Sequence, residues 1–350
     1  YWTEDRFWIN QGGGVYRAIS RKDWRSMSAS SMGIDFADID RDGDLDFFTV
    51  DMLSRDPARR KRQKEAQGSK TINVPGMFDR PQAMRNTLFV NRGDGSYSEL
   101  AYYAGLEASD WSWSPLFVDV DLDGFEDLLV SAGHAWDVQD LDAGLKIQQR
   151  QHSWGHIKDP KKLREAFARE MVVHNRLYPK LEMPIVAFRN LGNRRFEEVT
   201  DQWGTEALGV RHGMAMADFD NDGDLDLVAN RLNGPLSVYE NVAGGDRISV
   251  RLIGLPKNVQ AVGAVCVLVD QAGESQRSEV IAGGRYLSGS ETRCVFGVRE
   301  AEGPWTLVVK WRNGHTDEFE SIQANQQYVI TQGSKKYKLI ETETPSADDP

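Results

Sequence analysis

One short acidic pattern occurs three times in this chain of 350 residues. Each copy reads D-x-D-x-D-G-x-x-D, and the copies occupy residues 38–46, 119–127 and 218–226. The carboxylates at positions 1, 3, 5 and 9 can converge on one point only if the loop curls tightly, and the glycine at position 6 permits that curl. Several hard oxygen ligands around one point suit calcium. The pattern therefore predicts three calcium loops that hold about three Ca²⁺ ions.

The predicted ligands follow from the loop positions. Side chains at positions 1, 3, 5 and 9 are expected to bind the ion, and position 7 is expected to bind through its backbone carbonyl, which explains why phenylalanine is tolerated there. The predicted metal ligands are Asp38, Asp40, Asp42, Asp44 and Asp46; Asp119, Asp121, Asp123, Phe125 and Asp127; and Asp218, Asp220, Asp222, Asp224 and Asp226. An EF-hand is disfavoured, because its position 12 carries a glutamate. Here that position is Thr49, Val130 and Ala229.

Each loop belongs to a longer repeat. An asparagine stands 28 residues before the first aspartate of every loop: Asn10, Asn91 and Asn190. In each unit the asparagine ends a first β-prone run, a glycine- or asparagine-rich turn follows it, and a second β-prone run comes after the turn. Another apolar run follows each loop. A fixed internal spacing is typical of repeat architectures. One unit is therefore predicted to hold about four strands and to form one β-propeller blade.

The C-terminal part has a different pattern. Residues 246–336 alternate apolar and polar side chains in short runs separated by turns, which predicts a small antiparallel β-sandwich. Residues 1–245 are then the propeller portion, with insertions at 51–85 and 131–185, and residues 337–350 form an acidic tail. The predicted fold class is all-β, with one helical insertion.

Specific motifs resemble two known families. The repeated units resemble FG-GAP (VCBS-type) repeats, the calcium-loop blades of integrin-α-like β-propellers. The C-terminal part resembles the ASPIC/UnbV domain in the runs Ser249-Val-Arg-Leu-Ile-Gly, Val262-Gly-Ala-Val, Gly284-Arg-Tyr-Leu-Ser-Gly-Ser, Phe296-Gly and Val309-Lys-Trp-Arg-Asn-Gly. This pairing is typical of bacterial secreted proteins related to cartilage acidic protein. The resemblance implies an extracellular protein of recognition or adhesion.

The insertions leave several interpretations open. Asp159 and Pro160 are typical of a helix start, and the apolar residues that follow are expected to pack a helical cap on the propeller face. His152 and His156 have the spacing of a zinc-binding pair if that segment is helical. The basic run at 58–64 is either a solvated helix or loop, or a polyanion-binding segment. Trp111 and Trp113 either pack beside a central strand or stack on a sugar. The triplet Arg92-Gly-Asp is expected to form a hairpin turn.

The net charge of −11 has a local origin, because the three loops contain fifteen acidic residues. Nucleic-acid binding is not expected, since it needs a basic face. No apolar run has the length of a transmembrane segment. Cys266 and Cys294 are either two buried small hydrophobes or a disulfide pair.

The expected function is recognition or adhesion through a protein or glycan ligand. Calcium loops with dissociation constants of about 10⁻⁴ to 10⁻³ M suit extracellular modules, so the chain is expected outside the cell, at its surface or in the periplasm. Two alternatives remain: an extracellular propeller enzyme, such as a polysaccharide lyase or hydrolase with its site at the insertions, or a structural component of a cell-envelope assembly. No catalytic residue is predicted. Because the chain starts inside a repeat unit, it is expected to be part of a larger chain or assembly.

Overall fold

A computed structural model describes residues 5–20, 23–24, 26–63, 81–150 and 156–340. Strands dominate these residues, and five of the sheets have three or four strands. Three of these five sheets are formed by the repeats and two by the C-terminal part. The expected all-β class, with propeller blades followed by a sandwich, is confirmed.

The N-terminal part contains fifteen strands and four short or medium helices among the described residues. In chain order its elements are β1 (Trp8–Asn10), β2 (Tyr16–Ala18), β3 (Met27–Ser28), β4 (Ile34–Ala37), β5 (Asp46–Thr49), α1 (Pro57–Arg60), β6 (Gln82–Ala83), β7 (Thr87–Asn91), β8 (Tyr97–Glu99), α2 (Ala101–Ala104), β9 (Ser112–Val118), β10 (Asp127–Ala132), α3 (Leu141–Gln148), α4 (Pro160–Asn175), β11 (Val186–Asn190), β12 (Phe196–Glu198), β13 (Met214–Ala217), β14 (Asp226–Ala229) and β15 (Ser237–Tyr239). None of the helices in the described part of the chain is long and apolar enough to cross a membrane.

The blades are out of phase with the sequence repeat. The three blade sheets have the orders β4-β5-β7-β8, β9-β10-β11-β12 and β13-β14-β15. Each blade therefore takes the two strands that flank one acidic loop and adds strands from the hairpin of the following unit. The prediction that one sequence unit forms one blade is wrong in this grouping. The strand after each of the first two loops pairs with the strand that ends in the next repeat asparagine, and β14 pairs with β15, which lies just before Asn241.

The hairpin of the first unit, β1 and β2, forms a separate two-stranded sheet. An aromatic cluster next to it packs on the first blade: the rings of Phe7 and Phe47 are 5.6 Å apart, and those of Trp24 and Phe89 are also 5.6 Å apart. Two further apolar cores lie between neighbouring blades. Their fully buried members include Phe48 and Leu128 in one core and Met214 in the other. Burial of each such side chain contributes about 1.5–3 kcal/mol, so face-to-face packing holds the blades together.

The C-terminal sandwich consists of two four-stranded sheets. Its strands are β16 (Asp246–Ile253), β17 (Val265–Val269), β18 (Ser275–Glu279), β19 (Arg293–Val298), β20 (Trp305–Lys310), β21 (Thr316–Ile322), β22 (Gln326–Thr331) and β23 (Tyr337–Ile340). The sheet orders are β19-β16-β22-β23 and β18-β17-β20-β21. All pairs are antiparallel except β16 with β22, which is parallel.

The sandwich extends beyond the C-terminal boundary that the sequence pattern predicted. Because β23 pairs with β22, residues 337–340 belong to the sandwich and not to the acidic tail, and residues 341–350 lie outside the described residues. Cys266 and Cys294 are both buried free thiols in its core. The neighbouring Cys294 thiol, together with burial, raises the pKa of the Cys266 thiol.

The insertions differ from expectation in their packing. Helix α4 begins where predicted, because Asp159 accepts hydrogen bonds from the N–H groups of Lys161 and Lys162 at 2.8 and 3.2 Å. However, Phe167 and Met171 are 51% and 43% exposed, and no residue of the helix is buried. The expected apolar packing on the propeller is therefore wrong for this face. The helix forms because of its cap and its strong helix formers. His152, the first member of the predicted zinc-binding pair, lies outside the described residues.

The basic run in the first insertion is partly internal. Arg59 is buried and pairs with Asp110 at 3.1 Å and with Asp137 at 2.9 Å. Its guanidinium group therefore ties α1 to the propeller and is not part of an open basic patch. Lys64, at the end of this run, lies outside the described residues.

Candidate metal centres in the acidic loops

The three acidic loops share one backbone conformation. The residue at position 4 has a positive φ in each loop: Arg41 at 60°, Leu122 at 58° and Asn221 at 61°. The glycine at position 6 has φ values of 90°, 92° and 101° in the three loops. Only glycine adopts the latter region without strain, so the sequence pattern directly imposes the curl.

The same hydrogen bonds hold each loop closed. The carboxylate at position 1 accepts from the N–H of the position-6 glycine at 2.9, 2.8 and 3.1 Å in the three loops. The carboxylate at position 5 accepts from the N–H of position 7 at 2.9, 3.0 and 3.0 Å. Two of the predicted ligand positions therefore also determine the shape of the loop.

The position-9 aspartate joins each loop to the rest of its blade. Asp127, for example, accepts from the N–H of Val120 at 2.9 Å and from the N–H of Asn190 at 2.8 Å. The other two loops repeat this arrangement, in which the donor asparagines are Asn91 and Asn241. One carboxylate thus connects its own loop to the outer half of the same blade.

The repeat asparagines also connect neighbouring blades. The side chain of Asn190 donates to the carbonyl of Ile39 in the preceding loop at 2.9 Å, and that of Asn241 donates to the carbonyl of Val120 at 3.0 Å. The side chain of Asn190 also donates to the carbonyl of Glu126 in the loop of its own blade at 3.1 Å, so it connects two neighbouring loops.

Nine of the predicted ligands form three compact carboxylate groups. Within each group the candidate ligand oxygens lie within 4.8 Å of one another. The groups are Asp38, Asp40 and Asp42; Asp119, Asp121 and Asp127; and Asp218, Asp220 and Asp226. The remaining predicted ligand residues belong to the same loops but are not members of these groups.

Burial and mutual repulsion make these carboxylates unfavourable as bare anions. Burial, with the neighbouring aspartates, raises the pKa of Asp38 to about 6, of Asp119 to about 7 and of Asp127 to about 9. Several buried carboxylate oxygens also have no hydrogen-bond partner: Oδ1 of Asp38, Asp40, Asp121 and Asp218, and both oxygens of Asp224. Unpaired buried carboxylates are costly. These residues therefore fit a bound divalent cation in each loop.

Arginines from elsewhere in the chain approach every loop. Arg194 pairs with Asp40, and Arg189 pairs with Asp121 at 2.7 Å. In the third loop the partners are Arg247 and Arg293, which come from strands β16 and β19 of the sandwich. Sequence reasoning missed all four arginines. No spacing signal could have found them, since they lie far from their loops in the chain or in a different domain.

A loop of the sandwich docks on the inner strands of all three blades. Nε of Arg285 lies 3.5 Å from Oδ2 of Asp35 in β4. The ring centroid of Tyr286 is 5.3 Å from that of Trp113 in β9. The N–H of Glu291 donates to the carbonyl of Met216 in β13 at 2.8 Å. The run Gly284-Arg-Tyr-Leu-Ser-Gly-Ser therefore fixes the sandwich to the propeller. A cavity of about 640 Å³ lies at this junction.

Stacked aromatic rings lie beside the junction. The rings of Trp111 and His134 are 4.3 Å apart and nearly parallel, and the rings of Trp113 and His212 are 4.2 Å apart. Trp111 is 7% exposed, so its ring is covered by its neighbours and not free to stack on a sugar. Trp113 remains partly accessible.

Comparisons with known proteins agree with this architecture. The FG-GAP-like repeat family matches residues 79–130 and 182–229, and the ASPIC and UnbV family matches residues 254–337. Cartilage acidic protein 1 of Xenopus tropicalis is 26% identical over 250 residues, which cover 65% of this chain and 38% of that relative. The chain therefore matches well under half the length of this relative. The chain is therefore similar to FG-GAP-like repeats in its propeller part and to the ASPIC and UnbV family in its sandwich.

Proposed function

We propose that this protein is an extracellular recognition or adhesion protein whose propeller blades are held together by three calcium ions. The observation that carries the calcium proposal is the set of buried, converging carboxylate oxygens without partners, repeated in three loops of one conformation. Oxygen-only ligands in a flexible loop suit Ca²⁺ better than Mg²⁺, which demands near-ideal octahedral geometry.

The proposed ligands are the aspartates at positions 1, 3, 5 and 9 and the backbone carbonyl at position 7. A bound ion would neutralise the repulsion within each group. Hydrogen bonds within the chain also stabilise each loop: the position-1 carboxylate holds the loop closed, and the position-9 carboxylate anchors the next hairpin. At a calcium concentration 100 times the dissociation constant, each site would add about 2.7 kcal/mol of stability.

The proposed location follows from the ion. Loops of this kind in extracellular modules bind calcium with dissociation constants of about 10⁻⁴ to 10⁻³ M, so they fill only where calcium is plentiful. The match to a protein named for cartilage supports an extracellular place as well. We therefore propose secretion, the cell surface or the periplasm, with a protein or glycan as the ligand.

Thermal unfolding tests this proposal. We expect a large rise of the melting temperature with calcium, a smaller one with magnesium, and neither in the presence of chelator. An Asp38→Ala, Asp119→Ala, Asp218→Ala triple variant should lose the calcium response. Asp201→Ala, at an exposed turn position, is the matched control and should keep it. A wild-type melting temperature that calcium does not change would refute the proposal.

One observation favours a second candidate function, that of an extracellular enzyme. His134, at the start of the second insertion, and His212 both lie beside Trp113, with ring centroids 6.2 and 4.2 Å from its ring, and burial together with His134 lowers the pKa of His212. A neutral imidazole beside a partly accessible aromatic ring is suited to proton transfer. Turnover of a polysaccharide that is lost in both His134→Ala and His212→Ala would establish this candidate.

A further inference from the structure

We infer that the sandwich and calcium compete for the third acidic loop, so that ion binding there and domain docking oppose each other. The inference rests on the proposed calcium loops and adds a regulatory role for two arginines of the sandwich. It makes the third loop the weak and switchable site of the three.

Arg293 is built into the third loop. Its Nη1 lies 2.7 Å from Oδ2 of Asp218, the position-1 carboxylate, whose side chain is fully buried. The same nitrogen donates to Ser249 at 3.2 Å and to Gln327 at 2.8 Å. Gln327 in turn donates to the carbonyl of Asn221 in the loop at 2.7 Å. The sandwich therefore fixes this guanidinium group, which can move away from Asp218 only if its hydrogen bonds to Ser249 and Gln327 break.

Arg247 holds a predicted ligand directly. Its Nη2 lies 2.6 Å from Oδ2 of Asp222 at position 5, and it also donates to the backbone carbonyl of Asp222 at 2.8 Å. Asp224 lies 3.7 Å from the same nitrogen. In the first loop the corresponding position-5 residue, Asp42, belongs to the compact carboxylate group. In the third loop Asp222 is paired with Arg247 and lies outside the group, as Asp123 does in the second loop.

The arginines at the first two loops differ in exposure. The side chains of Arg194 and Arg189 are 48% and 45% exposed, whereas those of Arg247 and Arg293 are 18% and 5% exposed. An exposed arginine can turn into solvent when an ion binds, since surface ion pairs contribute little. A buried arginine cannot leave without breaking its other hydrogen bonds or the domain contact.

The sign of the coupling follows from charge. Two largely buried guanidinium cations beside the site repel a divalent cation. The loop nevertheless keeps oxygens for an ion, because Oδ1 of Asp218 is buried without a hydrogen-bond partner and converges with oxygens of Asp220 and Asp226. Coupling between two binding events is reciprocal, so an ion that binds weakly because the sandwich is docked must also weaken that docking.

A calorimetric calcium titration of the full chain tests the inference. We expect two sites of similar affinity and a third that is about tenfold weaker, within the usual range of such coupling. In an Arg247→Met, Arg293→Met double variant the third site should tighten to within about threefold of the others. An Asp220→Ala substitution assigns the weak site, since it should remove that site alone. The matched control, Arg189→Met with Arg194→Met, should leave the third site unchanged.

A second measurement needs no arginine variant. Hydrogen exchange of the wild-type protein should become faster in the docking segment 283–291 as the weak site fills, and not while the two strong sites fill. Three equal sites, or a docking segment that calcium protects, would overturn the inference and leave the calcium proposal standing. Failure of calcium to bind the wild type and every variant would instead overturn the calcium proposal, and the inference with it.

Discussion

The first and third acidic loops have the same backbone and different surroundings. Both curl through a positive φ at position 4 and a glycine at position 6, and both close with the same hydrogen bonds. Among the described residues, the first loop has one arginine partner, whose side chain is 48% exposed, whereas the third has two from the sandwich, whose side chains are 18% and 5% exposed. The local sequence pattern therefore determines where an ion can bind, while tertiary contacts determine which groups compete with the ion.

The largest expected effect comes from the position-9 anchor, which all loops share. In Asp127→Ala, the N–H groups of Val120 and Asn190 lose their acceptor inside the protein. Each buried unsatisfied group costs about 1–3 kcal/mol, so we expect a loss of about 3 kcal/mol in the free energy of unfolding. Urea denaturation measures it. Asp226→Ala should cost a similar amount, and a loss below about 1 kcal/mol in both variants would contradict the shared role.

Close packing at the junction gives the next effect. A Cβ added at Gly297 of β19 would lie 2.2 Å from Oδ2 of Asp119 and 2.5 Å from the carbonyl carbon of Leu122. Gly297→Ala should therefore push the sandwich away from the second loop and cost about 2 kcal/mol. Gly244→Ala is the matched control, since a Cβ there meets no atom within 4 Å. Equal melting temperatures for the two variants would show that the junction is loose.

The pH dependence of stability should differ with and without calcium. Burial raises the pKa of Asp38 to about 6, of Asp46 to about 8 and of Asp127 to about 9, from 3.8. Because the folded protein then binds these protons more tightly than the unfolded chain, stability in chelator is greatest at low pH and falls as pH rises from about 4 to 9. Calcium should flatten this fall, since it stabilises the ionised form. Chemical denaturation across this range checks both curves, and equal slopes would contradict a role for the loops.

The smallest effect belongs to the exposed arginines. Arg189→Met removes a pair with Asp121 whose arginine side chain is 45% exposed, so we expect a change within about 0.5 kcal/mol in stability. Arg293→Met should cost more, because it leaves the buried Asp218 carboxylate without its cation. A larger loss from Arg189→Met than from Arg293→Met would invert the contrast between the loops.

Much of the candidate site was predictable because its determinants are local. The D-x-D-x-D-G pattern specifies the curl, the carboxylate group and the repeat, and the alternating runs predict the sandwich. Which strands share a blade was not predictable in this way. The third strand of a blade comes from the following part of the chain and is held by contacts such as the hydrogen bond from the Asn91 N–H to Asp46. The sandwich arginines could not be predicted for the same reason, because Arg293 contacts Asp218 only when the two domains are docked.

Helix α4 shows the opposite case. Its cap and length follow from Asp159 and Pro160, yet the periodic apolar face that predicted burial remains exposed at Phe167 and Met171. A hydrophobic pattern predicts an amphipathic helix, but it does not specify which surface, if any, that face meets.

A crystal structure of the full chain grown with calcium would show which loops hold an ion and where the sandwich arginines then lie. We expect ions about 2.3–2.6 Å from the carboxylate oxygens of the first and second loops. At the third loop we expect either a partly occupied ion or a fully occupied one with Arg247 displaced from Asp222. Anomalous density that is absent from the first two loops, or a fully occupied third site with both sandwich arginines still in place, would contradict these expectations.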